Sequence, residues 1–321
     1  MTLPMARALA ATEPAARIDF PPHPVLAATP VLVPDIHATE SFDAASAQVM
    51  VGPDRQQMPR LIPASLPGVN KEVQKQNHDT PRIAIIIDDM GLARRNSLRA
   101  VNIDAPLTLS YLPYADDIQA QVDEARAKGH EIMLHLPMEA FDHHMYPGPG
   151  ALTTRLAPDV LAERVNQNLS AFKGYRGINN HMGSRLTSDP VAMEAVMREI
   201  DRKSVFFVDS WTSPRSVAYQ TAAAFDIPRG RRDVFLDHYE GEAAVWNALK
   251  QAEYLARRHG SSVVIGHPKN DTINVLQTWL PAAKLRGVQI VPMSELTYRG
   301  SAERDPVLMA DAARRSRVAG R

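Results

Sequence analysis

Short apolar runs alternate with amphipathic stretches between about residues 81 and 300. In RIAIIIDDMG, Arg82 to Gly91, five apolar residues run unbroken from Ile83 to Ile87 and stop at two adjacent carboxylates. A run without polar alternation predicts a strand covered on both faces. Comparable runs predict strands over 82–88, 106–112, 131–135, 177–180, 205–209, 233–236, 262–266 and 288–292. Between them, amphipathic segments predict helices over 93–102, 116–128, 158–172, 189–202, 213–224, 241–259 and 271–285. Asp189-Pro190, Ser213-Pro214 and Asp271 are candidate helix starts, and Gly129, Gly260 and Gly287 fall where a helix ends in a left-handed residue. Strand–helix repetition of this length predicts a parallel α/β sheet or barrel.

The flanks differ. Twelve of the 25 prolines lie in the first 81 residues, and PPHPVLAATPVLVPDI has too many to form a helix. Residues 1–80 are therefore expected to be a disordered Pro/Ala-rich tether, 81–300 the folded domain, and 301–321 a polar C-terminal tail.

Composition narrows the function classes. Lys plus Arg and Asp plus Glu both number 36, so no basic field points to nucleic acid. There is no cysteine, which removes disulfides, thiolate nucleophiles and zinc–thiolate sites. No apolar run is long enough for a transmembrane segment. The first twenty residues lack the apolar core of a secretory signal. Two expectations stay open: the chain stays inside the cell, or its export signal is missing from this stretch.

The chemistry sits at the strand ends. Six predicted strands finish at Asp88-Asp89, His135, Asn180-His181, Asp209, Asp237-His238 and His267. A single aspartate at such a place is usually a turn or helix-cap residue, and a single histidine is usually a structural hydrogen-bonding group. Six together are less easily dismissed, because all strand C-termini of a parallel α/β fold share one rim. Carboxylates and histidines gathered there match a divalent metal of the zinc type. Such a cation also relieves the Asp88-Asp89 pair: one carboxylate binds it while the other stays free as a base. His78, His143, His144 and His259 lie away from strand ends and are expected to be solvated or local.

IIIDDMG, GHEIMLHLPME and VIGHP resemble motifs of the polysaccharide deacetylase (NodB-like) superfamily, and GINNHMGS, FFVDSWTS and RRDVFLD resemble its divergent polysaccharide deacetylase branch. The resemblance spans about residues 81–298. It implies a distorted (β/α)7 barrel with Asp88 as base, Asp89 and His135 as metal ligands and His267 as general acid. The second histidine of the superfamily's HxxxH motif is replaced by Glu139, so either Glu139 or His181 completes the metal set. The superfamily's Arg-Pro-Pro motif is absent near His181.

With those roles the expected reaction is metal-dependent removal of an acetyl group from a cell-envelope carbohydrate such as peptidoglycan, with zinc as the expected metal and the periplasm or envelope as the implied location. Asp209 is expected to orient His267 or a ligating histidine; Asn180, Trp211 and Asp237 are expected to meet substrate. Two rivals remain. One is a deacetylase-like barrel that binds an envelope glycan or a protein without turnover. The other is a metal-free glycoside hydrolase using two carboxylates such as Asp88 and Asp209, against which the number of histidines weighs.

Overall fold

A computed structural model describes residues 80–300 together with Asp305, Val307 and Leu308. The expected tether lies outside the described residues. In chain order the elements are β1 (Arg82–Met90), α1 (Arg94–Val101), β2 (Thr108–Tyr111), α2 (Ile118–Ala127), β3 (Glu131–Met138), α3 (Pro158–Leu169), β4 (Gly177–Met182), α4 (Pro190–Asp201), β5 (Phe206–Asp209), α5 (Ala218–Ala224), β6 (Arg229–Arg231), β7 (Val234–Phe235), α6 (Glu242–His259), β8 (Ser261–Gly266), α7 (Asn270–Leu285) and β9 (Gln289–Ile290).

Each pairing between these strands is parallel, and the sheet runs β6-β5-β4-β3-β2-β1-β8-β7, with β9 paired to the start of β1. This is the expected distorted (β/α)7 barrel. Its distortion is located: β6 and β7 follow one another without a helix between them, and they form the two ends of the hydrogen-bonded path.

The unbroken apolar run of β1 has a simple cause. Ile83, Ile85 and Ile87 point to the large core beneath the helices. Ala84 and Ile86 point the other way, into a smaller cluster with Met133, Phe206, Val208, Val263, Ile265 and Met293. A strand covered on both sides has no position for a polar residue until it reaches the rim. Burying each isoleucine stabilises the fold by about 1.5–3 kcal/mol. Inside the barrel, Gly177 leaves room for the Phe206 ring, with which a Cβ at that position would clash.

Helix ends follow local chemistry. Asp189 Oδ1 accepts the N–H groups of Val191 and Ala192, with Pro190 in the first turn of α4. α6 ends at Gly260 in the left-handed region, with φ 87°. The expected start at Ser213-Pro214 is a turn instead: Ser213 Oγ accepts Arg215 N–H, and α5 begins at Ala218.

β6 has the sequence RGR, which no apolar pattern marks. Arg229 is nevertheless fully buried. Its guanidinium donates to Asp305 Oδ2 at 2.9 and 2.6 Å, Tyr219 donates to the same carboxylate, and the rings of Tyr219 and Tyr298 flank it. Asp305 belongs to the segment expected to be a polar tail, yet it has no exposed surface.

Candidate active site

The inner face of the barrel continues into the site by the two-residue period of a strand. Ile86 is followed on that face by Asp88, Met133 by His135, Gly177 by Asn179 and His181, and Ile265 by His267. Asp89 should face away. Its backbone is left-handed, with φ 55°, and the β1–β2 register shifts between Ile87 and Met90. Aspartate tolerates this conformation better than most residues. The turn brings the second carboxylate to the same mouth as the first. Met182 and Trp211 also have φ near 50° beside the mouth, a clustering of costly backbone that accompanies functional sites.

Three groups converge on Asp89. His181 Nδ1 lies 2.8 Å from Asp89 Oδ1, and His135 Nε2 lies 3.3 Å from the same oxygen. His267 Nε2 is 3.7 Å from Asp89 Oδ2. The 2.8 Å approach lacks hydrogen-bond geometry, so Asp89 Oδ1 is buried without a donor. One ligand atom from each of Asp89, His135 and His181 lies within 4.8 Å of the others. A donorless carboxylate oxygen facing two imidazole nitrogens fits a cation between them, and two nitrogens plus one oxygen is a three-ligand catalytic zinc set. These residues therefore fit a divalent metal.

Asp88 is held differently. Asn179 Nδ2 donates to Asp88 Oδ1 and Oδ2 at 2.8 and 3.0 Å. Asn179 Oδ1 accepts the Ser110 hydroxyl at 2.6 Å and faces His135 Nδ1 at 2.9 Å. Burial pushes the Asp88 carboxyl above its ordinary range, against His135, His267 and Asn179. Burial would also raise Asp89, but His135 and His181 beside it hold it far below the usual carboxylate range. Burial disfavours the charged form of His135 and of His267, yet both are raised, His135 by Asp88 and Asp89 and His267 chiefly by Asp237.

Asp237, not Asp209, is the carboxylate on His267: Asp237 Oδ1 accepts His267 Nδ1–H at 2.9 Å, while Oδ2 accepts the Thr272 hydroxyl. Asp209 stands out of phase with the inner face. Its carboxylate accepts Trp211 N–H and the Ser216 hydroxyl, closing the turn after β5. Burial raises its pKa.

Glu139 lies outside the converging group. Its Oε2 accepts both Thr154 N–H and the Thr154 hydroxyl at 2.8 Å, and Arg185 approaches Oε1 at 3.7 Å. Asn180 is buried and ties β4 to the next rim loop, accepting Ser210 N–H and donating to Met182 O. Trp211 carries the Arg231 guanidinium 3.9 Å above its ring. With Arg232, Phe235, His238 and Tyr239 it lines a cleft of about 970 Å³. The Phe235 ring is 5.4 Å from that of His267, so cleft and mouth adjoin. His143 and His144 are exposed.

Sequence reasoning missed Asn179 and Ser110. The signal was available in part: Asn179 is two residues before His181 on one strand, and it pairs directly across the sheet with His135.

The family model described as divergent polysaccharide deacetylase matches residues 85–297. An uncharacterized protein of Haemophilus influenzae is 33% identical over 215 residues, covering 67% of this chain and 76% of that one. The uncharacterized protein YibQ of Escherichia coli K12 is 31% identical over 196 residues, 61% of each chain. The crystal structure of an uncharacterized protein from Agrobacterium tumefaciens C58 superposes with a TM-score of 0.65 at 31% identity, covering 68% of this chain and 89% of that one.

Proposed function

The chain belongs to the divergent polysaccharide deacetylase family, and on that premise we propose that it hydrolyses N- or O-acetyl groups on a cell-envelope carbohydrate, with a divalent metal of the zinc type held by Asp89, His135 and His181. The bound metal supplies Lewis-acid polarisation of the acetyl carbonyl and activation of water near neutral pH. Asp88 takes the proton of the attacking water. Its carboxylate is beside the ligand group, 3.6 Å from His135 Nε2, and is not needed to hold the cation. The new bond joins the water oxygen to the acetyl carbon, and the bond to the sugar nitrogen or oxygen breaks. His267 gives the leaving atom a proton from Nε2, because Asp237 engages Nδ1. Trp211 and the adjoining cleft offer a wall for the sugar.

The observation that carries this reading is the buried, donorless Asp89 Oδ1 facing His135 and His181, with Asp88 and His267 on either side. The periplasm or envelope is the location proposed, because envelope carbohydrate is the substrate proposed; among the described residues no helix is long and apolar enough to cross a membrane.

The test is acetate release from acetylated peptidoglycan fragments and other surface glycans by the metal-loaded protein. Activity that disappears with a chelator and returns with zinc supports the reading. Glycan binding without acetate release in excess zinc, cobalt or manganese overturns it.

A further inference from the structure

We infer that Asn179 is a positioning residue that sets the metal ligand and the base at once, through the two ends of a single amide. The amide has only one orientation that satisfies its neighbours. Its oxygen meets the Ser110 hydroxyl and His135 Nδ1. Its nitrogen donates to both oxygens of Asp88 and to Ser210 Oγ at 3.1 Å. Turned over, the oxygen would oppose the Asp88 carboxylate, which only accepts, so the carboxylate fixes the amide with its oxygen toward Ser110 and His135. Asn179 has no exposed surface, so no water relieves such a mismatch.

Two consequences follow. A hydrogen bond to Asn179 Oδ1 requires His135 to carry its proton on Nδ1, which leaves the Nε2 lone pair aimed at Asp89 Oδ1. The two bonds from Nδ2 hold the Asp88 carboxylate in place, with Oδ2 3.6 Å from His135 Nε2. The metal ligand on β3 and the base on β1 therefore share one brace on β4, which is consistent with fixed relative placement of the two.

The inference rests on the hydrolase reading only for its kinetic part. Aspartate at this position keeps an acceptor for His135 and removes the donors to Asp88; alanine removes both. In zinc-loaded wild-type protein, long-range ¹H–¹⁵N spectra should show His135 with a proton on Nδ1 and the metal on Nε2. Asn179→Ala should weaken zinc binding, measured by chelator competition, by about 10–100-fold, and should lower kcat as well. Asn179→Asp should keep zinc affinity within about threefold while kcat falls by about 100-fold or more, with KM little changed. A merely structural role would lower thermal stability without separating the two effects.

Zinc on Nδ1 of His135 in the wild type overturns the inference whether or not either variant folds. Wild-type zinc affinity in Asn179→Ala, or wild-type kcat in Asn179→Asp, overturns it too. If the wild type releases no acetate from any glycan, the hydrolase reading fails, and the zinc and nitrogen measurements still judge Asn179.

Discussion

His267 Nδ1 donates to Asp237 Oδ1 over 2.9 Å, and Asp237 Oδ2 accepts the backbone N–H of the same histidine at 2.8 Å. Two bonds from one carboxylate to one residue fix both the ring and its tautomer, leaving Nε2 for the mouth. Replacing Asp237 by asparagine removes the negative charge that favours the imidazolium. Asp237→Asn should lower kcat by roughly 100-fold, at the low end of what a positioned general acid contributes, without changing metal content. The sign of the pH effect follows from the shift: Asp237 raises the His267 pKa against burial, so without that charge the acid loses its proton at lower pH. The alkaline limb of the kcat profile should move to lower pH, and an unmoved limb would refute the role.

Two residues compete in sequence for the third ligand position, and their surroundings differ. His181 Nδ1 is 2.8 Å from Asp89 Oδ1, whereas the Glu139 carboxylate is occupied by Thr154. His181→Ala should lose zinc at micromolar concentration. Glu139→Ala should retain zinc and lose about 1 kcal/mol of stability, the cost of leaving the part-buried Thr154 donors without their carboxylate. Metal analysis and urea denaturation separate the two outcomes.

Arg229 and Asp305 form an ion pair whose side chains have no exposed surface. Deleting one partner of such a pair leaves an uncompensated buried charge and costs about 3–5 kcal/mol. Asp305→Ala should show this loss in urea unfolding. Glu194→Ala, which breaks the exposed Arg198 pair, should leave the midpoint nearly unchanged.

Glu253 joins α6 to the end of α7, accepting from Arg257 and Arg286. Arg286, and then Arg257 against the effect of burial, lowers its pKa. A lowered folded-state pKa stabilises above the unfolded value of about 4.3, and that contribution is lost as pH falls through the folded value. The stability difference between wild type and Glu253→Gln should therefore be full at pH 6 and shrink below pH 4. Parallel denaturation series at several pH values check it.

Much of this was legible because two periods carry the information. The doubly buried strands had to be unbroken apolar runs, so β1, β3, β5 and β8 stood out, and their polar ends marked the rim. The pattern could not reveal β6, because its burial of Arg229 depends on Asp305, 76 positions away. Asn179 fell inside the predicted strand 177–180 and drew no role, because β4 continues to Met182 and so carries Asn179 and His181 on one face, which the composition of NNHM does not announce. Asp209 and Asp237 both end strands in sequence. Only the phase of each strand end and the loop geometry decide which carboxylate meets His267, and no residue count gives that phase across the turn.

The most direct measurement is a zinc-soaked crystal structure with anomalous data at the zinc edge. The account predicts one ion about 2 Å from an Asp89 oxygen, His135 Nε2 and a His181 nitrogen, with Asp88 and His267 uncoordinated on either side. An ion bound elsewhere, or no ion at this mouth at saturating zinc, would contradict it.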